Sequence, residues 1–362
     1  MPTIHVELGA NSYPIIVDRN VLGRIGDLLK VRAKSSKAMV IADAFVSWRY
    51  GTTVFESLSA NGFESSLVEV PPGEEQKSMA WFTKLHDALI DAKLDRNSTV
   101  VALGGGVIGD LAGFVAATYM RGIPFVQVPT TLLSQVDASV GGKTAIDHPK
   151  GKNLIGAFHQ PKLVLIDVET LRTLPLREIR AGLVEVIKAG VIMDLPLFAQ
   201  IEENLYPLLR SDSRTLIDVI CRACEDKVHV VMRDEKESGL RETLNYGHTF
   251  GHALEALTDY NTYKHGEAVA IGMNCAARLA VNLGMLSGAD YERQKALLVR
   301  TGLPIALPAS IAPRMLIEAM YLDKKTRDAH LRLVLPTRIG EVVVRGDVPE
   351  AKVAEAIAQC RE

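Results

Sequence analysis

Over the first half of the chain, short aliphatic and β-branched runs alternate with longer amphipathic stretches. Residues 38–43, 66–70, 99–103, 125–128 and 163–167 are apolar runs too short for helices and bounded by turn-forming residues, so they read as strands. Near-continuous apolar strands separated by helical stretches predict an α/β fold with a largely parallel sheet. The first eight residues also alternate like a strand. After Leu176 the apolar period becomes helical, through 177–193, 196–209, 213–232, 246–257 and 266–283, with strand-like 331–335 and 341–344 near the end. The pattern predicts two domains, 1–177 and 178–362, the second mainly helical and the boundary near residue 177.

Composition narrows the class. A chain of 362 residues that is 48% hydrophobic and 23% charged is long enough for two cores and shows no biased tract. A formal net charge of −2 with scattered Lys and Arg leaves no footprint for nucleic acid or an anionic membrane, so an anionic partner must be small. The N-terminus lacks the basic start and apolar run of a signal peptide, and no stretch reaches membrane-spanning length, which predicts a soluble cytoplasmic protein. Cys221, Cys224, Cys275 and Cys360 are too scattered for a disulfide framework. Cys221 and Cys224 do form C-x-x-C, but without a βαβ context or a second pair they read as small residues on one helix face.

The first candidate chemistry is nucleotide binding. Gly104-Gly105-Gly106-Val107-Ile108-Gly109-Asp110 follows an apolar strand and opens a helix expected over 111–119, placing backbone N–H groups where a pyrophosphate would sit. The next strand ends Val128-Pro129-Thr130-Thr131, without the acid of a standard dinucleotide fingerprint. Asp43, closing an earlier strand, could take the ribose instead or simply cap the helix near Phe45. The loop Pro72-Gly73-Glu74-Glu75-Gln76-Lys77 reads as a helix cap or part of an adenosine pocket. Gly142-Lys143-Thr144 resembles the end of a phosphate loop, but Asp137 stands where that motif requires glycine. Lys143, Lys152 and Asn153 are expected on loops.

The second candidate chemistry is a metal. His248 and His252 lie four apart on one predicted helix face, and His265 precedes the next helix. Spacing nominates His248 with His252, and leaves open His248 with His265 and a carboxylate from elsewhere. The candidate carboxylate is Glu185, one helical turn from Lys188 in an apolar helix where unpaired charge is costly, although a solvated ion pair would explain the two as well.

Taken in order, Gly104–Asp110, Val128–Lys143, Gly151-Lys152-Asn153, Gly182-Leu183-Val184-Glu185, Gly239-Leu240-Arg241, Leu244–His252, His265-Gly266-Glu267-Ala268 and Asp323-Lys324-Lys325 resemble the 3-dehydroquinate synthase family along nearly the whole chain. The resemblance implies a Rossmann-like nucleotide-binding domain followed by a mainly α-helical metal-binding domain. It implies Zn2+ or Co2+ on Glu185, His248 and His265, with His252 free to touch substrate. It implies NAD along Asp43, Pro72 to Lys77, Gly106 to Asp110, Thr130, Thr131, Thr170, Leu171, Arg172 and Thr173, with Lys143 and Lys152 at the border with the substrate. Asp137, Asn153, Lys188, Lys227, Arg241, Asn245, His252 and Lys324 match positions lining a pocket for a sugar-acid phosphate. Arg121 matches one contributed by a dimer partner, which implies a homodimer. Pro72 stands where aspartate is frequent and touches no charged contact.

Three rival readings remain at this stage. A sister cyclase acting on sedoheptulose 7-phosphate has no carboxylate for Arg241 and Asn245. A metal-dependent polyol dehydrogenase would leave Lys143, Lys152, Lys188 and Lys227 without counter-charge. A non-catalytic nucleotide binder would need neither the histidines nor the lysines.

Overall fold

The computed structural model describes residues 1–237, 239–322, 326–327 and 330–362. It divides into two units, Met1–Leu174 with Leu216–Val228, and Pro175–Thr215 with His229–Glu362. Where a single boundary near residue 177 is expected, the first unit ends at Leu174 and takes back a later helical segment. No helix among the described residues is long and apolar enough to cross a membrane.

The first unit holds strands β1 (Thr3–Val6), β2 (Tyr13–Asp18), β3 (Lys37–Asp43), β4 (Glu64–Val70), β5 (Thr99–Gly104), β6 (Phe125–Pro129), β7 (Lys143–His148), β8 (Gly151–Phe158) and β9 (Leu163–Asp167). Seven of them form one sheet in the order β1-β2-β9-β6-β5-β3-β4. All neighbours run parallel except β1, which pairs antiparallel with β2 at the edge. Helices α1 (Ile25–Lys30), α2 (Ala44–Val46), α3 (Thr52–Ala60), α4 (Met79–Asp91) and α5 (Gly106–Thr118) connect the strands.

Alternation along each strand builds a core on both faces. Met39, Ile41, Val100 and Ala102 pack with Leu85 and Leu89 of α4 and Leu111 and Val115 of α5. Val40, Ala42, Val101 and Leu103 pack with Ile25, Leu29, Val54 and Leu58 of α1 and α3. β5 is buried along its length, as a central strand covered on both faces must be. From β3 the chain moves outward to β4 and then to β5 on the other side. This topological switch sets the carboxyl ends of β3 and β5 side by side, and with them Asp43 and the Gly104–Gly106 turn.

The strand reading missed two features. Tyr13–Asp18 joins the sheet, and β7 and β8 form a separate antiparallel hairpin. Lys143, Lys152 and Asn153, expected on loops, therefore stand on strands. Hydrogen bonding across the hairpin, not side-chain alternation, holds this glycine- and lysine-containing stretch extended.

The second unit is mainly helical: α6 (Leu176–Ile192), α7 (Leu195–Glu203), α8 (Leu205–Leu209), α9 (Ser213–Arg233, whose middle belongs to the first unit), α10 (His248–Leu257), α11 (His265–Asn282), α12 (Gly288–Thr301), α13 (Pro313–Leu322) and α14 (Glu350–Gln359). Short strand pairs β10 (Thr326–Arg327) with β11 (His330–Leu331) and β12 (Leu333–Arg338) with β13 (Glu341–Arg345) complete it. The helix expected over 196–209 breaks at Asn204. Its Nδ2 donates to Gln200 O at 2.8 Å, and Pro207 has no N–H with which to continue the ladder. The helix expected from 246 starts at His248 because Gly247 is left-handed, with φ 79°.

Three helices meet through glycine. An ideal Cβ on Gly266 would lie 2.1 Å from the Ala181 carbonyl oxygen of α6, and one on Gly272 would lie 2.0 Å from the Gly247 carbonyl oxygen at the start of α10. Both obstacles are backbone, so α11 touches its neighbours with no side chain between. Gly266→Ala is expected to lower unfolding free energy by about 1–3 kcal/mol, the usual cost of overpacking, because α11 must move off α6. Denaturant unfolding of the purified variant measures it.

Candidate functional site

α10 presents His248 and His252 on one face, and α11 begins with His265. Among the described residues these three form a histidine cluster whose candidate ligand atoms all lie within 4.8 Å of one another. The ring centroids are 5.3 Å apart for His248 with His252, 5.3 Å for His248 with His265 and 5.7 Å for His252 with His265. Spacing found the first pair; only the crossing of α10 and α11 brings in the third.

Glu185 comes to the same place from α6, where 13 of 17 residues are buried, itself and Lys188 included. One carboxylate oxygen lies 3.7 Å from His248 Nε2, and Lys188 Nζ is in ion-pair contact with the other. Yet neither oxygen accepts an aligned hydrogen bond from the described residues. Glu185 is not one of the three residues whose ligand atoms lie within 4.8 Å of one another, but a buried carboxylate with unfilled acceptor sites 3.7 Å from one imidazole of that cluster adds an oxygen donor to nitrogen donors, which suits a divalent borderline cation such as zinc or cobalt. The solvated ion pair weighed for Glu185 and Lys188 does not fit their burial.

The rings are held from behind. His248 Nδ1 lies 3.2 Å from the Tyr246 carbonyl, and His265 Nδ1 lies 3.2 Å from Glu255 Oε2. Glu267 fixes the first turn of α11: its carboxylate accepts the Lys264 N–H at 2.9 Å and both arms of Arg177 at 2.6 Å. Burial works against the charge on Glu267, but these bonds and the nearby charges of Arg177 and Lys264 outweigh it, so its carboxyl titrates below its ordinary value.

Arg241 is the largest fully buried side chain of the described residues. Its guanidinium donates to the Glu235 carbonyl at 2.5 Å, and its N–H donates to Asp234 Oδ2 at 3.0 Å. Asn245, on the same short helical segment, donates to Glu237 Oε1 at 3.2 Å. Lys324 lies outside the described residues.

In the first unit, α5 starts at Gly106 with no side-chain cap on its N-terminal N–H groups. A Cβ on Gly105 would come within 3.1 Å of the Thr131 methyl, and one on Gly109 within 2.7 Å of Gln127 Oε1. The glycines thus let the turn lie against Thr131 and seat the helix on β6, with N-terminal N–H groups that no side chain caps. Asp43 caps α2, its Oδ1 accepting from Phe45 at 2.9 Å and Val46 at 3.2 Å. Because both bonds fall on one oxygen, Oδ2 keeps its acceptor capacity, and capping and ribose binding are compatible. Thr130 is buried against β5, and Thr131 Oγ1 pairs with Ser134 Oγ at 2.8 Å. Thr170, Leu171, Arg172 and Thr173 form a turn after β9 in which Thr170 Oγ1 donates to Asp167 O at 2.7 Å and Thr173 meets Tyr50 at 2.8 Å.

The loop from Pro72 turns through Gly73, at φ 126°, and delivers Lys77 into the interior. Lys77 Nζ lies 2.6 Å from Asp110 Oδ2 and donates to Asn153 Oδ1. Burial opposes its charge, but Asp110, Glu74 and Asp147 together overcome burial and raise its pKa. Asn153 has a left-handed backbone, φ 55°, held by its N–H donating to Asp147 Oδ1 at 2.8 Å. Lys152 lies 3.6 Å from Glu74. Lys227, from α9, donates to the Asp137 carboxylate and to the Asp137 carbonyl at 2.6 Å. Asp147, Glu255 and Gln127 are supporting residues that sequence reading did not single out. Only Glu255 had a signal, lying three residues beyond His252 on the same helix face.

Cys224 is buried and donates to the Gln135 carbonyl at 3.4 Å. Burial, with the charges of Glu225, Asp218 and Asp18, pushes the Cys221 thiol up to about 12, so neither a thiolate ligand nor a redox pair is set up there.

The family profile described as 3-dehydroquinate synthase N-terminal matches residues 67–181, and the one described as 3-dehydroquinate synthase C-terminal matches residues 182–326. A 3-dehydroquinate synthase of Desulforamulus reducens is 50% identical over 359 residues, covering 99% of this chain and 100% of the relative. Among solved structures, 2-epi-5-epi-valiolone synthase from Streptomyces hygroscopicus with NAD+ and Zn2+ bound is 29% identical, with a TM-score of 0.88 and 96% of each chain covered. A 2-deoxy-scyllo-inosose synthase complexed with carbaglucose-6-phosphate, NAD+ and Co2+ is 26% identical, with a TM-score of 0.88, covering 99% of this chain and 100% of that one.

Glu267→Gln is expected to cost about 1 kcal/mol at neutral pH, the usual worth of a helix cap. Because the folded carboxyl titrates below the unfolded one, this stabilisation is fully present above the ordinary carboxyl value of about 4.3 and is lost as pH falls through the lower folded value. The variant and the parent should therefore differ in Tm at pH 7 and converge in acid, as read by thermal melts across pH.

Proposed function

The chain belongs to the 3-dehydroquinate synthase family, and on that premise we propose that it converts 3-deoxy-D-arabino-heptulosonate 7-phosphate to 3-dehydroquinate and phosphate. The reaction runs through oxidation at C5, elimination of phosphate, re-reduction, ring opening and an intramolecular aldol step. The observation that carries the reading is the buried Glu185 carboxylate with unfilled acceptor sites beside the histidine cluster, in a chain half identical to a synthase along its length.

When bound, NAD would supply a reversible hydride acceptor and a Zn2+ or Co2+ ion would supply Lewis acidity toward the hydroxyl being oxidised. Glu185, His248 and His265 would hold the ion, with His252 turned to substrate. Asp43 would hold the adenosine ribose, and the uncapped N-terminus of α5 from Gly106 to Asp110 the pyrophosphate. Pro72 to Lys77, Thr130, Thr131 and Thr170 to Thr173 would complete the NAD surface. Lys77 draws Asp110 and Asn153 together, so one buried ammonium orders a cofactor-facing and a substrate-facing group at once.

Arg241 would neutralise the substrate carboxylate with charge-assisted bonds, together with Lys227. Its burial supports this role, since a charge-assisted bond formed away from water is stronger than one at the surface. Lys143, Lys152, Asn153 and His252 would surround the phosphate, with Lys324 completing the charge, while Asp137, Lys188 and Asn245 orient the hydroxyls. The protein's task is to position and to balance charge, and the departing phosphate can take the proton released beside the transient ketone.

The reading extends to a homodimer in the cytoplasm in the aromatic biosynthetic (shikimate) pathway, with Arg121 serving a second copy. Supporting that role, Met120 and Arg121 hold successive left-handed conformations, φ 49° and 71°, before Gly122, and such strain is kept where function demands it.

Incubation of the protein with the heptulosonate phosphate, NAD and Zn2+ is expected to release phosphate and dehydroquinate without net NADH. Stoichiometric NADH without phosphate would identify a dehydrogenase instead. Arg241→Ala is expected to lower kcat/KM by about 10- to 100-fold, corresponding to roughly 1.5–3 kcal/mol of lost charge-assisted bonding, as measured by steady-state phosphate release.

A further inference from the structure

We infer that Glu255 is a positioning residue of the metal centre: its carboxylate accepts a hydrogen bond from the Nδ1–H of His265 and so fixes the tautomer that leaves Nε2 for the ion. The inference rests on the proposal that His265 is a ligand. Glu255 lies on α10, three residues after His252 and seven after His248, and so shares their helix face. Its side chain is 7% exposed, whereas that of His265 is 31% exposed. An ionised carboxylate only accepts, so the 3.2 Å contact from Oε2 requires hydrogen on Nδ1.

The two outer histidines are thus oriented by different means. Behind His248 stands a neutral acceptor, the Tyr246 carbonyl, which comes with the backbone of the same segment. Behind His265 stands a full negative charge brought from another helix. A carboxylate behind an imidazole raises the basicity of the far nitrogen and locks the ring, and losing such a partner weakens metal binding by about 10- to 100-fold. A purely structural role is the competing account, because α10 and α11 already touch through Gly251 and Gly272 and a buried ion pair could serve only to join them.

The experiment is a titration with Co2+ of full-length protein stripped of metal, followed by the visible absorption of bound cobalt, for the parent and for Glu255→Gln. Metal-free Tm is measured alongside. The expected result is a Kd raised about 10- to 100-fold in the variant, with an altered cobalt spectrum at saturation and an unchanged metal-free Tm. An unchanged Kd overturns the inference. So does a raised Kd that comes with an equally lowered metal-free Tm and the parent spectrum, which assigns Glu255 to packing. If Glu255→Gln does not fold, Glu255→Asp, which keeps the charge but shortens the reach, is held to the same outcomes. A parent protein that takes up no cobalt would instead overturn the metal centre proposed above, so the two failures are told apart.

Discussion

Everything in the second unit depends on how closely α11 can approach its neighbours. Two backbone contacts, Gly266 on Ala181 and Gly272 on Gly247, remove the side-chain layer that normally separates packed helices. Helices packed through ordinary side chains have axes about 8–10 Å apart. Closer contact than that brings the starts of α10 and α11, and with them His248 and His265, together. The short Glu267 and Arg177 network then stops the first turn of α11 from fraying, so His265 hangs from a fixed point.

Both units carry buried charges that add little to stability by themselves. Glu185 with Lys188, and Lys77 with Asp110, are removed from water at a desolvation cost that their mutual attraction roughly repays. Their arrangement makes sense as chemistry held ready. Within its own unit each pair holds charged groups away from water, and the surrounding apolar core keeps their interactions strong.

The sequence was informative where one physical signal dominates. Six sheet strands were legible: the central parallel ones because they are apolar on both faces, the edge strands β1 and β4 from alternation and β-branched content, and the long helices because their buried stripe repeats. Hairpin β7–β8 was not legible: Gly151, Lys152 and Asn153 have loop chemistry, and only pairing with β7 extends them. Helical spacing pointed to His248 with His252, because it sees one helix at a time; the approach of His265 to that pair comes from helices packed through glycine, which leaves no periodic trace. Asp147 was invisible because its role, holding Asn153 in a left-handed conformation, exists only once the hairpin has formed.

The return of Leu216–Val228 to the first unit bears on how the chain comes to be folded. A polypeptide emerging residue by residue completes its seven sheet strands by Asp167, yet the unit they belong to still lacks a helical segment carrying Cys224 and Lys227. That segment is made only after α6, α7 and α8. The first unit therefore cannot be complete until Val228 has been made. Cutting the chain after Leu174 would remove the helical segment that brings Lys227 to Asp137 and Cys224 to the Gln135 carbonyl.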